Sequence, residues 1–387
     1  MRSLVARAVG AIALCAITIG GWFSPTQVCA QASASAGAAN ASSGERPRHV
    51  FLVVLENEGF VRTFGKNSDA PYLSTELTRK GELLTQYFAI GHFSLDNYIA
   101  MVSGQAPTKE TQADCFTYLD FAPPDGALDR DGQVHGSGCV YPSTVLTIAN
   151  QLEAKGLTWR GYMEDMSRNC QHPEHPELGP KDDHIHAQPG DQYATRHNPF
   201  VYFHSIIDQP TCEKHDVPLT ALDVDLKSVA TTPNLVFITP NLCNDGHDGA
   251  SAICAGGHLK SADRFLRQLV PRILESPAYR QDGMLLITFD EAEVGHSGGR
   301  VDPKTTDATA CCDEPSGPNT TLPGQTGPGG GRIGAVILSR YVKPGSRNDT
   351  PYNHYSLLRG LEDLFGLDHL GFARQAGPFD GVYNQKP

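Results

Sequence analysis

Positive charge is scarce in this chain: 31 lysines and arginines stand against 43 acids, a formal net charge of −12. That balance excludes nucleic-acid phosphate or an anionic membrane as the main partner, since both select for an excess of Lys and Arg. A small anionic substrate stays open, because a bound metal can invert the local field. No CxxC pair occurs, which removes a zinc knuckle. No internal repeat occurs either, and this favours one domain carrying insertions over a repeat array. A basic amphipathic helix of the kind that docks on lipid is also missing. What remains is an ordinary globular balance, 40% hydrophobic and 19% charged, which supports a sizeable core.

The first thirty residues read as a secretory signal. Arg2 and Arg7 open it, residues 8–23 are uncharged and mostly apolar, and Val28-Cys29-Ala30 resembles a small-residue cleavage site. A retained membrane anchor is the alternative reading, and it needs about 20 apolar residues. Loss of residues 1–30 removes two arginines and no acid, taking the charge from −12 to −14. Residues 31–46 are rich in Ala, Ser and Gly and read as a flexible leader. Residues 47–387 are then expected to form a single domain, secreted or periplasmic, with no stable membrane anchor. Of ten cysteines, eight lie beyond the signal: 115, 139, 170, 212, 243, 254, 311 and 312. An even number in an exported chain predicts disulfides. Short loops favour Cys115–Cys139, Cys170–Cys212 and Cys243–Cys254, although spacing alone does not fix connectivity.

Four apolar runs read as buried strands: His49–Leu55, Leu235–Thr239, 284–289 and 333–338. Helical spacing lies between them. Leu95, Tyr98, Ile99 and Val102 mark one helix, residues 143–155 a second ending at Gly156, a third starts near Ser261, and a fourth covers about 355–365. Strands alternating with helices predict an α/β sandwich around a largely parallel sheet. Residues 105–140, 165–215 and 300–332 break the pattern as long loops, which are usually functional or disordered.

In such sheets ligands gather beyond the carboxyl ends of the strands. Two strands end there in polar pairs, Glu56-Asn57 and Asp290-Glu291, which supply hard oxygen ligands for a divalent cation. Strand-end acids can also simply cap the next helix. Ser94 stands at the start of the first helix, where free N–H groups and the helix dipole favour a phosphate. A plain N-cap serine needs no more than that position. A nucleophile needs an activator, which a metal on the strand-end acids supplies. Polar loops add His184 and His186, His197, His247 and His354, with Asp245 two residues before His247.

The motifs HVFLVVLEN, HFSLDNYIAMVSG, RHNPFVYF, TPNLCNDGHDG, LLITFDEAE, GGGRIGAVILS and NHYSLLRGLEDLFGL follow one another across residues 48–367. Seven motifs in this order resemble the phosphoesterase family of the alkaline phosphatase superfamily, which contains bacterial phospholipases C and acid phosphatases. The resemblance implies a three-layer α/β/α sandwich with a largely parallel central sheet. It implies metal ligands at Glu56, Asn57, Asp290, Glu291 and Asp245, with Ser94 as nucleophile. His197 and His354 become catalytic candidates, and Asn97 and His247 candidates for holding phosphate. The superfamily's usual histidine beside the second acidic position is here Glu291, which points to a single hard metal of unassigned identity. The expected activity is hydrolysis of a small phosphorylated substrate, as a monoesterase of the acid phosphatase type acting through a phosphoserine. A phospholipase C or other phosphodiesterase taking a phospholipid or phosphoinositide is the alternative, and a decayed exported binding protein is the alternative of another class. A sulfatase is excluded by the absence of a C/S-x-P-x-R context near Ser94.

Overall fold

The computed structural model describes residues 46–173, 186–298, 300–313 and 315–383. The expected signal peptide, all but the last residue of the leader, and His184 lie outside these residues. Every residue of β1 (His49–Leu55) is buried, as a continuous apolar run requires when both faces of a strand are covered. Seven further strands join it: β2 (Glu82–Leu84), β3 (Trp159–Met163), β4 (Asp216–Pro218), β5 (Leu235–Thr239), β6 (Gly283–Phe289), β7 (Ala335–Ser339) and β8 (Ser346–Asn348). Their spatial order is β8-β2-β7-β6-β1-β5-β3-β4. Only β7 runs against the rest, pairing antiparallel with both β6 and β2. The sheet is therefore largely parallel, as the alternation of runs predicts.

Four of these strands escape a reading by apolar runs. β2, β4 and β8 have three residues each, and β3 carries Arg160 and Gly161 among its five. The run expected at 333–338 enters the sheet only at Ala335. Gly334, with φ at +77°, turns the chain just before it and leaves Ile333 buried outside the strand.

Helices cover both faces. Helix α1 (Ser94–Ser103), α2 (Ile148–Ala154) and α4 (His354–Phe365) pack on one another. Helix α3 (His258–Glu275) packs instead with the segment Tyr72–Leu77 and with the short helix Pro277–Asp282, which contacts β1 and β6. The result is the α/β/α sandwich. Helix α2 starts five residues later than the expected 143, because Thr147 caps it. The Thr147 hydroxyl accepts from Asn150 N, and the Asn150 side chain accepts from Thr147 N at 2.8 Å. In α4 Leu357, Leu358 and Leu361 are buried, while Leu364 is half-buried.

Four disulfides form among the described residues: Cys115–Cys139, Cys170–Cys212, Cys243–Cys254 and the adjacent pair Cys311–Cys312. Among the described residues no helix is long and apolar enough to cross a membrane.

Candidate active site

Register sets the site. Leu55, the last residue of β1, pairs with Phe289, the last of β6, so Glu56 and Asp290 leave the sheet side by side. Hydrogen bonds continue past the strand ends: Asp290 N donates to Leu55 O at 2.8 Å and Glu56 N to Asp245 O at 2.9 Å. Three carboxylates from sequence positions far apart are thereby gathered on one edge, and all three are fully buried.

Ser94 meets them from above. Its hydroxyl donates to Glu56 Oε2 at 2.7 Å, and Tyr98, one turn along α1, donates to Glu56 Oε1 at 2.6 Å. His197 stacks on Tyr98 with ring centroids 5.6 Å apart, holding Nε2 at 3.3 Å from Glu56 Oε2 and Nδ1 at 3.8 Å from Asp245 Oδ2. Asp290 Oδ1 accepts from the backbone N–H of Asn57 at 2.9 Å and of Glu291 at 2.6 Å. Asn57 takes a left-handed backbone, φ 57°, which Asn tolerates, and its amide donates to Glu56 Oε2 at 2.9 Å.

Burial and mutual repulsion push these acids upward. Burial is the largest cause for Glu56, with the charges of Asp290 and Asp245 adding to it. Burial also raises Asp245 and Glu291 well above the usual range, and Asp290 to about 6. The imidazole of His197 is held well below its ordinary value, first by burial and then by Arg196.

Four buried polar atoms here have no hydrogen-bond partner: Asp290 Oδ2, Asp245 Oδ2 and both ring nitrogens of His197. Orphaned acceptors among buried like charges are what a cation would satisfy. Oxygen-rich, with one imidazole, the set fits a divalent metal of the harder kind. Among the described residues no group of three or more His, Cys, Asp or Glu side chains stands in a ready-made metal-holding arrangement. The fit therefore rests on the orphaned atoms and the donor chemistry.

A cavity of about 550 Å³ opens over Ser94. Of the residues expected from sequence, Asn57, Ser94, His247 and Glu291 line it. Glu56, Asp245, Asp290 and His197 form the buried layer beneath. Two expected residues do not face the cavity. Asn97 spends its side chain on the loop before α1, accepting from Ile90 N and Gly91 N and donating to Gly91 O and Phe93 O. His354 donates from Nε2 to Asp290 O at 2.7 Å and accepts from the Tyr87 hydroxyl at Nδ1 at 3.1 Å. Both its nitrogens are thus engaged, and burial lowers it to about 4. His247 is also lowered to about 4, by burial first.

Several contributors were not singled out from sequence. Asp114 accepts from Leu95 N at 3.1 Å, so a carboxylate already sits on the helix start where a phosphate was expected. It lies 3.8 Å from Arg196 Nε, and both residues line the cavity. His92 stands between Glu291 Oε2, which it contacts through Nδ1, and the Asp307 carbonyl, 3.0 Å from Nε2. The long loop 300–332 thereby reaches the site. Arg196 is adjacent to His197, and His92 and Tyr98 belong to the HFSLDNY motif, so their neighbours were the available signal.

Residues 66–368 match the model of the phosphoesterase family. The chain belongs to the phosphoesterase family. It is similar to the phosphate-repressible acid phosphatase of Penicillium chrysogenum, at 31% identity over 77% of this chain and 55% of that one. A probable acid phosphatase of Kluyveromyces lactis is 26% identical over 92% of this chain and 66% of its own length. The phosphatidylinositol-3-phosphatase of Mycobacterium tuberculosis is 25% identical over 87% and 82%. This member thus spans less than two thirds of the two fungal relatives. A solved alkaline phosphatase superfamily protein of Vibrio parahaemolyticus aligns with a TM-score of 0.49 at 14% identity, covering 84% of this chain and 67% of that one. That score lies under 0.5, so the assignment rests on the family match.

Proposed function

We propose that this phosphoesterase is an exported, metal-dependent phosphate monoesterase that works through a phosphoserine on Ser94. The observation that carries the reading is the Ser94 hydroxyl, at the start of α1 and on the cavity wall, donating to buried Glu56 at 2.7 Å. A solitary helix cap would have no such partner. The family match and the phosphatase names of the relatives support the reaction class.

Ser94 Oγ attacks phosphorus in line, its bond to phosphorus forming as the ester oxygen departs. Glu56 Oε2 already accepts the Ser94 hydroxyl hydrogen bond, so it is placed to take the serine proton as the bond to phosphorus forms. Arg196 is the cavity cation we assign to the phosphate oxygens, tethered by Asp114. His247, on the cavity wall, is assigned to the substrate, where its neutral imidazole donates a hydrogen bond to the departing ester oxygen, which takes its proton from water in the cavity. Water then opens the phosphoserine, releasing a proton to solvent, while Glu56 returns its proton to Ser94 Oγ. We assign Asn97 and His354 to positioning, the first through the 90–93 loop and the second through the Asp290 backbone. Glu56, Asp245 and Asp290, with Asn57, Glu291 and His197, are the residues that would hold the metal. When bound, a divalent cation supplies charge neutralisation for these acids and Lewis acidity toward the serine oxygen and the phosphate.

The substrate is a small phosphorylated molecule. A phosphoinositide is the second reading, favoured by the likeness that covers 82% of the mycobacterial relative. Comparing phenyl phosphate with diphenyl phosphate in one buffer with added metals tests the class. We expect kcat/KM to favour the monoester by at least about tenfold, and an equal advantage for the diester overturns the choice. Full activity after exhaustive chelation, with no metal by elemental analysis, removes the metal.

A further inference from the structure

The phosphate end of the substrate is met by charged and polar groups, but part of the same cavity's wall is apolar. Phe93, Phe116 and Val294 contribute to it. Phe93 immediately precedes Ser94 and holds φ at 37° with ψ at 167°. A bulky residue at positive φ is an outlier, maintained only when its surroundings over-determine it. Here the four contacts of Asn97 do so, and the loop residue they brace carries a phenyl ring into the cavity beside the nucleophile.

Phe116 arrives by an independent route with the same character. Asp114 and Cys115 before it both take left-handed backbones, φ 50° and 54°. The side chains then divide. Cys115 turns into its disulfide with buried Cys139, while Asp114 and Phe116 both face the cavity. Phe116 remains 51% exposed, so its ring is open to a molecule in the cavity. Two separate chain segments, each passing through left-handed backbone, therefore bring a phenyl ring to the cavity that Ser94 lines.

We propose that this wall is the leaving-group subsite, and that the preferred substrates are monoesters whose alcohol carries a flat aromatic ring close to the phosphate. The proposal rests on the phosphomonoesterase reading and deepens it. Phenyl side chains favour a flat partner through offset or edge contacts. A cavity of about 550 Å³ takes a molecule of metabolite size. The loop disulfide keeps the wall in place before the substrate arrives, which lowers the ordering cost of binding.

Three alkyl-type monoesters of similar leaving-group basicity test this: benzyl, hexyl and ethyl phosphate, each hydrolysed by the purified full chain. We expect kcat/KM for benzyl phosphate to exceed that for ethyl phosphate about tenfold, with hexyl phosphate in between. Phe116→Ala should lower the benzyl value about tenfold, mainly through KM, with a far smaller loss for ethyl phosphate. Phe116→Tyr should retain the preference. Equal losses with benzyl and ethyl phosphate mean a structural role only and overturn the proposal. A hexyl value equal to the benzyl value overturns the aromatic assignment in favour of an aliphatic chain. Turnover of all three esters without discrimination sinks this subsite alone. Turnover of none sinks the monoesterase reading and the subsite with it.

Discussion

The two ends of the β1–β6 strand pair treat buried carboxylates in opposite ways. At the start, Asp282 lies just before β6, and its Oδ1 meets His49 Nδ1 at 2.6 Å, so the acid has a basic partner at once. At the finish, Glu56 and Asp290 leave the same two strands together, with Asp245 above them. Their neighbours are hydroxyls, amides, one another and the imidazole of His197, which burial holds well below its ordinary value. One end is electrostatically closed and the other is held open. Folding alone does not require the second arrangement, since uncompensated buried charge is costly. The difference agrees with the proposed site at the carboxyl ends of the strands, where an α/β sheet usually binds its ligands.

The sharpest test of the open end is Ser94, its proposed nucleophile. Ser94→Ala should lower kcat more than about a thousandfold while far-UV circular dichroism and metal content stay as in wild type. Activity within tenfold of wild type would remove Ser94 from the mechanism. Phosphate trapped on Ser94, seen by mass spectrometry after acid quench, is the positive sign.

The closed end should answer in stability and not in chemistry. Replacing the carboxylate weakens the buried hydrogen bond to His49, so Asp282→Asn should cost about 1–3 kcal/mol in a denaturant titration. Its metal affinity and the KM of the folded variant should stay near wild type. A large change in metal occupancy would mean the two ends are coupled, which breaks the comparison.

Asp290→Asn should have two signs. With metal present it should lower kcat/KM about a hundredfold and reduce metal occupancy. In chelator the same variant should be more stable than wild type by about 1–2 kcal/mol, because one of the repelling carboxylates has become neutral. Destabilisation in both conditions would show that the open end carries no stored repulsion.

Asp216, on the edge strand β4, is an intermediate case. One of its oxygens accepts from Asn198 Nδ2 at 2.8 Å and the other has no partner. Burial raises it from 3.8 to about 7. The folded state therefore holds this proton more tightly than the unfolded chain does. Its penalty is absent below about pH 4, grows as pH rises toward 7, and is fully present above that. Asp216→Asn should gain about 1–2 kcal/mol over wild type at pH 8 and lose that advantage near pH 4. A gain that does not vary with pH would attribute the effect to packing.

Much of this was legible because local chemistry repeats a simple physical rule. A run such as HVFLVVL can only be a strand covered on both faces, and the polar pair after it can only emerge at the sheet's edge. Glu56, Asn57, Asp290 and Glu291 were visible on that ground, and Ser94 through its place before an apolar helical stripe. β2, β4 and β8 were not legible, since three residues carry no period and their pairing depends on partners elsewhere in the chain. Asn97 and His354 were read as site residues because they share motifs with Ser94 and the last helix. What their side chains bond to is a matter of packing that motif order does not contain.

The sequence by itself determined the alternation of buried strands and helices, the acids at two strand ends, and the serine at a helix start. Each follows from spacing along the chain and from what a neighbouring residue permits. The motif resemblance had already put Asp245 and His197 with the site, and only the tertiary structure decided how close they come to those acids, that Asp114 takes the helix start, and that Phe93 and Phe116 both line the cavity. These residues lie on separate loops, and their meeting is set by strand register and by the Cys115–Cys139 bridge. Distances across a fold are properties of the folded chain, and local pattern carries no measure of them.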